Sequence, residues 1–220
     1  SYTTGVDTDR RGAELLEHKI FVSAGHDEYW SGNQRANVEA ARDAGVNLAF
    51  FSGNEVYWKT RWENSIDASG TPYRTLVTYK ETWANAKIDP MANVWTGTWR
   101  DDRFSPPADG GRPENALTGQ LFTVNRGPGG DTGTPFTVGA EFAGFSFWRD
   151  TRIASLQPGQ STNVGDYVLG YEWDEDIDNG FRPAGLLRMS STTQTVPQKI
   201  DQYGGPVTTS GQATHSLTLY

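Results

Sequence analysis

A strand–helix–strand pattern over residues 19–54 restricts this chain more than any other feature. Lys19-Ile20-Phe21-Val22-Ser23 is a short apolar run closed by Ala24-Gly25, and it reads as a buried strand. Ser31-Gly32-Asn33-Gln34 has the S-x-x-Q spacing of a capping box, in which the Ser hydroxyl and Gln amide satisfy free backbone N–H groups. The following stretch is rich in helix formers, Arg35 and Glu39 stand four apart, and Gly45 is placed to stop the helix. Val46-Asn47-Leu48-Ala49-Phe50-Phe51 is a second apolar run. The pattern predicts a helix from about Gly32 to Ala44 between two adjacent parallel strands, Lys19–Ser23 and Val46–Phe51. Parallel strands need such a crossover and are expected to be buried on both faces.

Elsewhere the texture is that of strands and loops. Arg11 to His18 predicts a short helix with Leu15 and Leu16 inward. Tyr73 to Thr82, Leu117 to Asn125, Phe136 to Phe147, Tyr167 to Tyr171 and His215 to Tyr220 predict short strands. Ser105 to Pro113 and Arg126 to Pro135 read as Pro/Gly/Asp-rich loops, and Gln194 to Gln212 is polar and poorly patterned. Nothing in the sequence marks a domain boundary. Aromatic residues make up 12% of the 220, with eight Trp, which excludes a disordered chain and implies an aromatic-heavy core. The net charge of −8 argues against nucleic acid or an anionic membrane surface as a partner. Cysteine is absent, so there is no disulfide, thiolate metal site or Cys nucleophile. No apolar run approaches the roughly 18 residues needed to span a bilayer.

Ligands of open parallel sheets bind beyond the carboxyl ends of the strands. The first strand leads into Gly25-His26-Asp27-Glu28-Tyr29-Trp30 and the second into Ser52-Gly53-Asn54-Glu55. If the strands are neighbours, an imidazole, several carboxylates and an amide share one rim. That set suits a hard metal or a general acid/base pair. A plainer alternative stands beside it, in which His26 caps the helix or bridges two loops and Asp27 and Glu28 face the helix dipole. Tyr29, Trp30, Tyr57 and Trp58 read as packing residues rather than ligand contacts. Asp174, Asp176 and Asp178 have the spacing of the first calcium-loop ligands, but the glycine falls one place late and position 12 is Gly185, so an acidic surface turn is the expectation. Glu172 follows the apolar run Tyr167-Val168-Leu169-Gly170 between two aromatic residues, which places it on the scaffold. No G-x-S-x-G turn, GxGxxG, Walker loop or H-E-x-x-H occurs, and Gly127-Pro128-Gly129-Gly130 is not a phosphate cradle because no helix pattern follows it.

The runs Val22-Ser23-Ala24-Gly25-His26-Asp27-Glu28-Tyr29-Trp30-Ser31, Phe51-Ser52-Gly53-Asn54-Glu55-Val56-Tyr57-Trp58, Gly170-Tyr171-Glu172-Trp173-Asp174 and Asp178-Asn179-Gly180-Phe181-Arg182-Pro183-Ala184-Gly185 resemble the C-terminal domain of the N,N-dimethylformamidase large (β) subunit family. The resemblance implies one domain over residues 1–220: an α/β fold, a parallel sheet with a βαβ core similar to class I glutamine amidotransferases, elaborated by extra strands and long loops. It implies a mononuclear non-haem iron held by two tyrosines and a glutamate, which hydrolyses the C–N bond of a small amide. Glu28 matches the glutamate ligand, His26 a histidine beside it, Asn54 a site asparagine and Glu172 a further site glutamate. No tyrosine of this chain matches the two tyrosine ligands, so the expectation is a fragment incomplete at both ends, completed by other chains or segments and with hydrolysis weak or absent in isolation. Secreted relatives of the family make a secreted protein the expected setting. A non-catalytic secreted module that binds carbohydrate or protein is the alternative.

Overall fold

A computed structural model describes residues 1–104, 109–125, 134–207 and 209–220. Residues 105–108 and 126–133 of the two Pro/Gly loops, with all of Gly127-Pro128-Gly129-Gly130, lie outside the described residues. The chain divides into two compact units, residues 1–114 with 202–205, and residues 115–201 with 206–220. It is a mixed α/β protein built from small sheets, some of them parallel.

The first unit holds α1 (Gly5–Arg10), a 3-10 turn at Gly12–Glu17, β1 (Ile20–Ser23), β2 (Tyr29–Ser31), α2 (Gly32–Asp43), β3 (Asn47–Phe50), β4 (Trp58–Glu63), β5 (Thr75–Val77) and α3 (Glu81–Ala84). β1 and β3 pair in parallel, with Ile20 opposite Asn47 and Ser23 opposite Phe50. The predicted βαβ unit is therefore present. Ser31 Oγ accepts from the Gln34 N–H at 3.2 Å, and Gly45 leaves the helix at φ +95°, a conformation that side-chain-bearing residues disfavour. Arg35 pairs with Glu39 at 2.8 Å as its spacing predicts. Its guanidinium is not on a solvated face, however. It is buried over the Trp99 ring and donates to the carbonyls of Arg112 and Pro113. A second sheet joins β2, β4 and β5, with β2 parallel to β4 and β5 antiparallel.

Three expectations for this unit fail. β1 and β3 are not buried on both faces, since Ile20 is 53% and Val22 49% exposed. Each strand of this two-stranded sheet has one neighbour, so the pair is not the interior of a larger parallel sheet. Leu15 is buried as expected, but Leu16 is exposed, because a six-residue 3-10 turn has too short a period to present both to the core. The strand predicted over Tyr73–Thr82 shortens to Thr75–Val77, because Lys80 turns to φ +48° and Glu81 opens a helical turn.

The second unit holds α4 (Asn115–Thr118), β6 (Leu121–Asn125), β7 (Thr134–Gly139), β8 (Ser161–Leu169), β9 (Glu172–Glu175), β10 (Leu187–Arg188), β11 (Thr192–Val196), β12 (Lys199–Ile200), β13 (Pro206–Val207), β14 (Gly211–His215) and β15 (Thr218–Leu219). Its pairings are antiparallel. The strand expected at Leu117 begins four residues later, after the α4 turn and Gly119 at φ +82°. The one expected over Phe136–Phe147 gives way to 3-10 turns after Gly139. The segment over Tyr167–Tyr171 is the tail of the longer β8, and His215–Tyr220 divides into β14 and β15. The polar stretch 194–212 contains strands among its described residues. Thr192–Val196 pairs along its whole length with Gly211–His215, and Val196 and Ala213 close on Val124 and Trp173 as a core. A second cluster gathers Val138, Trp148, Ile153 and Met189.

Candidate functional site

The site grows from the carboxyl ends of β1 and β3. Because Ser23 and Phe50 are partners, the loops that follow start side by side, and the Phe51 N–H continues the ladder to the Ser23 carbonyl at 3.0 Å. Gly25 turns the first loop at φ +86°, where a side chain would be strained although space is open around it. The second loop then folds back along the first. Val56 donates its N–H to the Asp27 carbonyl at 2.9 Å, and Tyr57 and Trp58 both donate to the Glu28 carbonyl, at 2.9 and 2.7 Å. His26, Glu28 and Asn54 thus sit on two backbone segments locked together.

That lock stores strain. Asn54 lies at φ +59° and Val56 at φ +55°. Asparagine tolerates the left-handed region, but a β-branched residue there is an outlier, and such outliers cluster at functional sites. Val56 is held by complete burial, with Tyr57 and Trp58 buried beside it. The Asn54 side chain is buried at 3% exposure, and Glu55 at 1% puts a carboxylate in the interior at the same turn.

His26 bridges the two loops. Its Nδ1 lies 2.7 Å from the Gly53 carbonyl, with Ser52 Oγ at 3.4 Å. A carbonyl only accepts, so Nδ1 carries the proton, and in the neutral ring Nε2 keeps the lone pair. The bridging role considered from sequence is therefore real, and it also sets the tautomer a base or ligand needs. Asp27 lies between His26 and Glu28 with its carboxyl pushed up by burial, an effect that hydrogen bonding from Ser23 only partly offsets. It keeps a proton to higher pH than an ordinary aspartate. Sequence reasoning had no access to this, since it depends on what covers Asp27. A cavity of about 370 Å³ opens here, lined by Ser23, Gly25, His26 and Asp27 together with Thr4 and Gln34.

Glu172 belongs to the second unit. It stands on β9, paired with Asn125 across the ladder, and its carboxylate accepts from the Asn125 amide at 3.2 Å. It is on scaffold, as its apolar run predicts. The acidic segment after it is a surface turn only at its end: Asp174, Glu175 and Asp176 are buried, and Asp178 is exposed. Asp176 is gripped by Arg182 and Arg188, each at 2.6 Å. Burial would raise its pKa, but these two guanidinium partners together hold it below the usual carboxylate range. Both oxygens are committed to arginine, so the calcium-like spacing serves an internal ion-pair hub.

Iron needs several converging donors. Among the described residues no three His, Asp or Glu side chains converge in a way that would hold a metal. The half-buried Glu28 fits as a single carboxylate ligand and not as a complete set. Among the described residues no helix is long and apolar enough to cross a membrane.

The protein family described as N,N-dimethylformamidase beta subunit-like, C-terminal, matches residues 1–220 of this chain. No curated protein matches it.

Proposed function

From a chain that belongs to the N,N-dimethylformamidase β-subunit-like family, we propose an amide hydrolase that cleaves the C–N bond of a small amide. The observation that carries this proposal is the pair of β1 and β3 loops, where a strained turn buries Asn54 and locks His26 in the Nδ1–H tautomer beside Glu28. The β1–α2–β3 unit corresponds on this reading to the βαβ core of class I glutamine amidotransferases. Glu28 contributes one carboxylate to a mononuclear iron whose other ligands come from outside these residues. Such an ion supplies Lewis-acid activation of the amide carbonyl or of water. Within this chain, His26 orients water by accepting a hydrogen bond at Nε2. The Asn54 amide orients the substrate by hydrogen bonding. Glu172 is the general base of the same proposal. A family named for a β subunit makes other protein chains natural partners. A cysteine-free, loop-rich chain also suits a secreted setting.

The test is Glu28→Gln in the complete protein with its partner chains. Amine release from N,N-dimethylformamide and iron content by mass spectrometry should both fall at least a hundredfold, with an unchanged circular dichroism spectrum. Full iron and full turnover in that variant would overturn the assignment. Absence of both from the unaltered protein would favour the binding-module alternative.

A further inference from the structure

A second cavity, of about 400 Å³, opens on the sheet of β2, β4 and β5. It lies in the first unit and shares no lining residue with the cavity at the β1 and β3 loops. Its volume is in the range of small-molecule sites. Ser31 is the partner of Thr60 in the parallel β2–β4 pair, so both side chains leave the sheet on one face. Trp62, two residues after Thr60, leaves on the same face. Asp9, in the last turn of α1, meets that face through Ser31, and Tyr73, just before β5, completes the wall.

Asp9 is built into this wall. It is only 7% exposed, its Oδ2 accepts from Ser31 Oγ at 2.5 Å, and the Asn37 amide donates to its backbone carbonyl at 3.0 Å. Its Oδ1 has no hydrogen-bond partner among the described residues, although Asp9 lines the cavity. Thr60 Oγ1 and the Trp62 indole N–H, on the same wall, are closed off from solvent and have no such partner either. Native interiors leave few polar groups in that state. Trp62 is only partly buried, and with its N–H enclosed the indole can show only carbon. Tyr73 is strained at φ +58°, with the Arg10 guanidinium 4.6 Å over its ring and the Arg74 N–H tied to the Glu63 carbonyl at 3.1 Å. A bulky residue in the left-handed region is an outlier, and such strain collects at ligand clamps.

These features select a class of ligand. The cations that line the cavity are already neutralised, Lys59 by Asp109 at 2.5 Å and Arg61 by Glu63 at 2.7 Å and by Asp89. Nothing on the wall is left to draw an anion, and the Asp9 carboxylate repels one. That carboxylate accepts hydroxyl donors, and the amides of Asn33 and Asn64, on the exposed rim, both donate and accept. Aromatic carbon covers apolar surface. A pyranose offers both halves of this match, a rim of hydroxyls and a flat face of C–H groups. We infer that the cavity binds a neutral pyranose, with Asp9 Oδ1 accepting from its hydroxyls and Trp62 and Tyr73 packing against its C–H face. The inference does not rest on the hydrolase reading and holds whether or not the chain cleaves amides.

The test is saturation-transfer NMR and titration calorimetry on the complete protein, with the methyl glycosides of glucose, galactose, mannose and N-acetylglucosamine as probes. At least one should bind saturably, with transfer concentrated on the C–H protons of one ring face. Sorbitol, which has hydroxyls but no ring face, and the uronate of the sugar that binds, which adds a negative charge, should each bind about tenfold more weakly or worse. Tyr73→Gly removes the ring at a position where glycine adopts φ +58° freely, and it should weaken binding about tenfold while thermal unfolding stays cooperative. Asn64→Ala, on the exposed rim, should weaken it about threefold with the fold untouched. Asp9→Asn should abolish binding. No saturable binding of any of the four glycosides would overturn the inference. So would an affinity unchanged in both Tyr73→Gly and Asn64→Ala, which would put the sugar elsewhere on the chain. Binding of tetramethylammonium chloride in place of the glycosides would also overturn it, by making the wall a cation site.

Discussion

The turn at residues 78–98 and the sheet face at His215 each enclose a titratable side chain, and they solve the problem in opposite ways. Glu81 is buried with its charge. Burial pushes its carboxyl up, but backbone N–H groups from Asp89 and Thr96, the Lys87 ammonium and the Ile88 N–H together hold it below its ordinary value. His215 is enclosed without its charge. Its ring meets Trp173 at 6.1 Å and Phe136 at 6.4 Å, its Nδ1 is sealed from water with no hydrogen-bond partner among the described residues, and burial lowers its pKa to about 4. A buried ion is tolerated where donors outnumber the lost water, and a buried base without partners stays neutral. The difference lies in the backbone. A turn converges several N–H groups on one point, whereas a paired ladder has already spent them.

The largest effect should come from breaking the first solution. Glu81→Gln leaves the three N–H groups facing an amide that has one acceptor oxygen and its own donors, and it leaves Lys87 without its counter-ion. A loss of about 3–5 kcal/mol is expected from disrupting a buried charge network, seen as a fall in the urea midpoint. Because the pKa of Glu81 is lowered in the fold, its stabilisation is complete above the unfolded carboxylate range. It disappears as pH falls through the folded value.

The second solution gives a smaller effect that runs through a different pH window. A histidine with pKa near 6.5 unfolded and about 4 folded binds protons preferentially in the unfolded chain. Stability is therefore complete above pH 6.5 and declines toward pH 4, by on the order of 2–3 kcal/mol. His215→Phe should flatten unfolding midpoints between pH 6.5 and 4.5. An unchanged pH profile would show that His215 does not titrate in this window. The smallest effect should come from the exposed Asp7–Arg11 pair, 2.9 Å long but in water. Arg11→Ala should move Tm by no more than about 1 °C, because exposed pairs are screened and entropically costly. A larger shift would mean that enclosure is not what separates these cases.

Much of the first unit was legible because its signals are local. The β1–α2–β3 unit needs only two apolar runs, a Ser31 cap and a Gly45 stop, all read within one window of chain. The motif residues His26, Glu28 and Asn54 follow from strand ends on adjacent loops. What escaped depended on partners distant in sequence. The ladder of Thr192–Val196 with Gly211–His215 carries few apolar residues, so periodicity had little to detect, and its cross-strand contacts include polar ones such as Thr193 with Thr214 at 2.8 Å. Asp176 read as part of an acidic surface turn because spacing cannot reveal that Arg182 and Arg188 claim both oxygens. Lys80 fell inside the strand predicted over Tyr73–Thr82.

By itself, the order of residues determined the parallel pair, its crossover helix and the loops that bear the candidate site, since capping and hydrophobic runs act between residues close in the chain. Tertiary structure decided the surroundings of the titratable and charged groups. It chose the proton on His26 Nδ1 by offering it the Gly53 carbonyl. It raised Asp27 by covering it, and it enclosed Lys80 in rings drawn from positions 29, 58 and 83. Protonation and ion pairing depend on solvent exclusion and on fields that act through space, and a linear sequence specifies neither until it has folded.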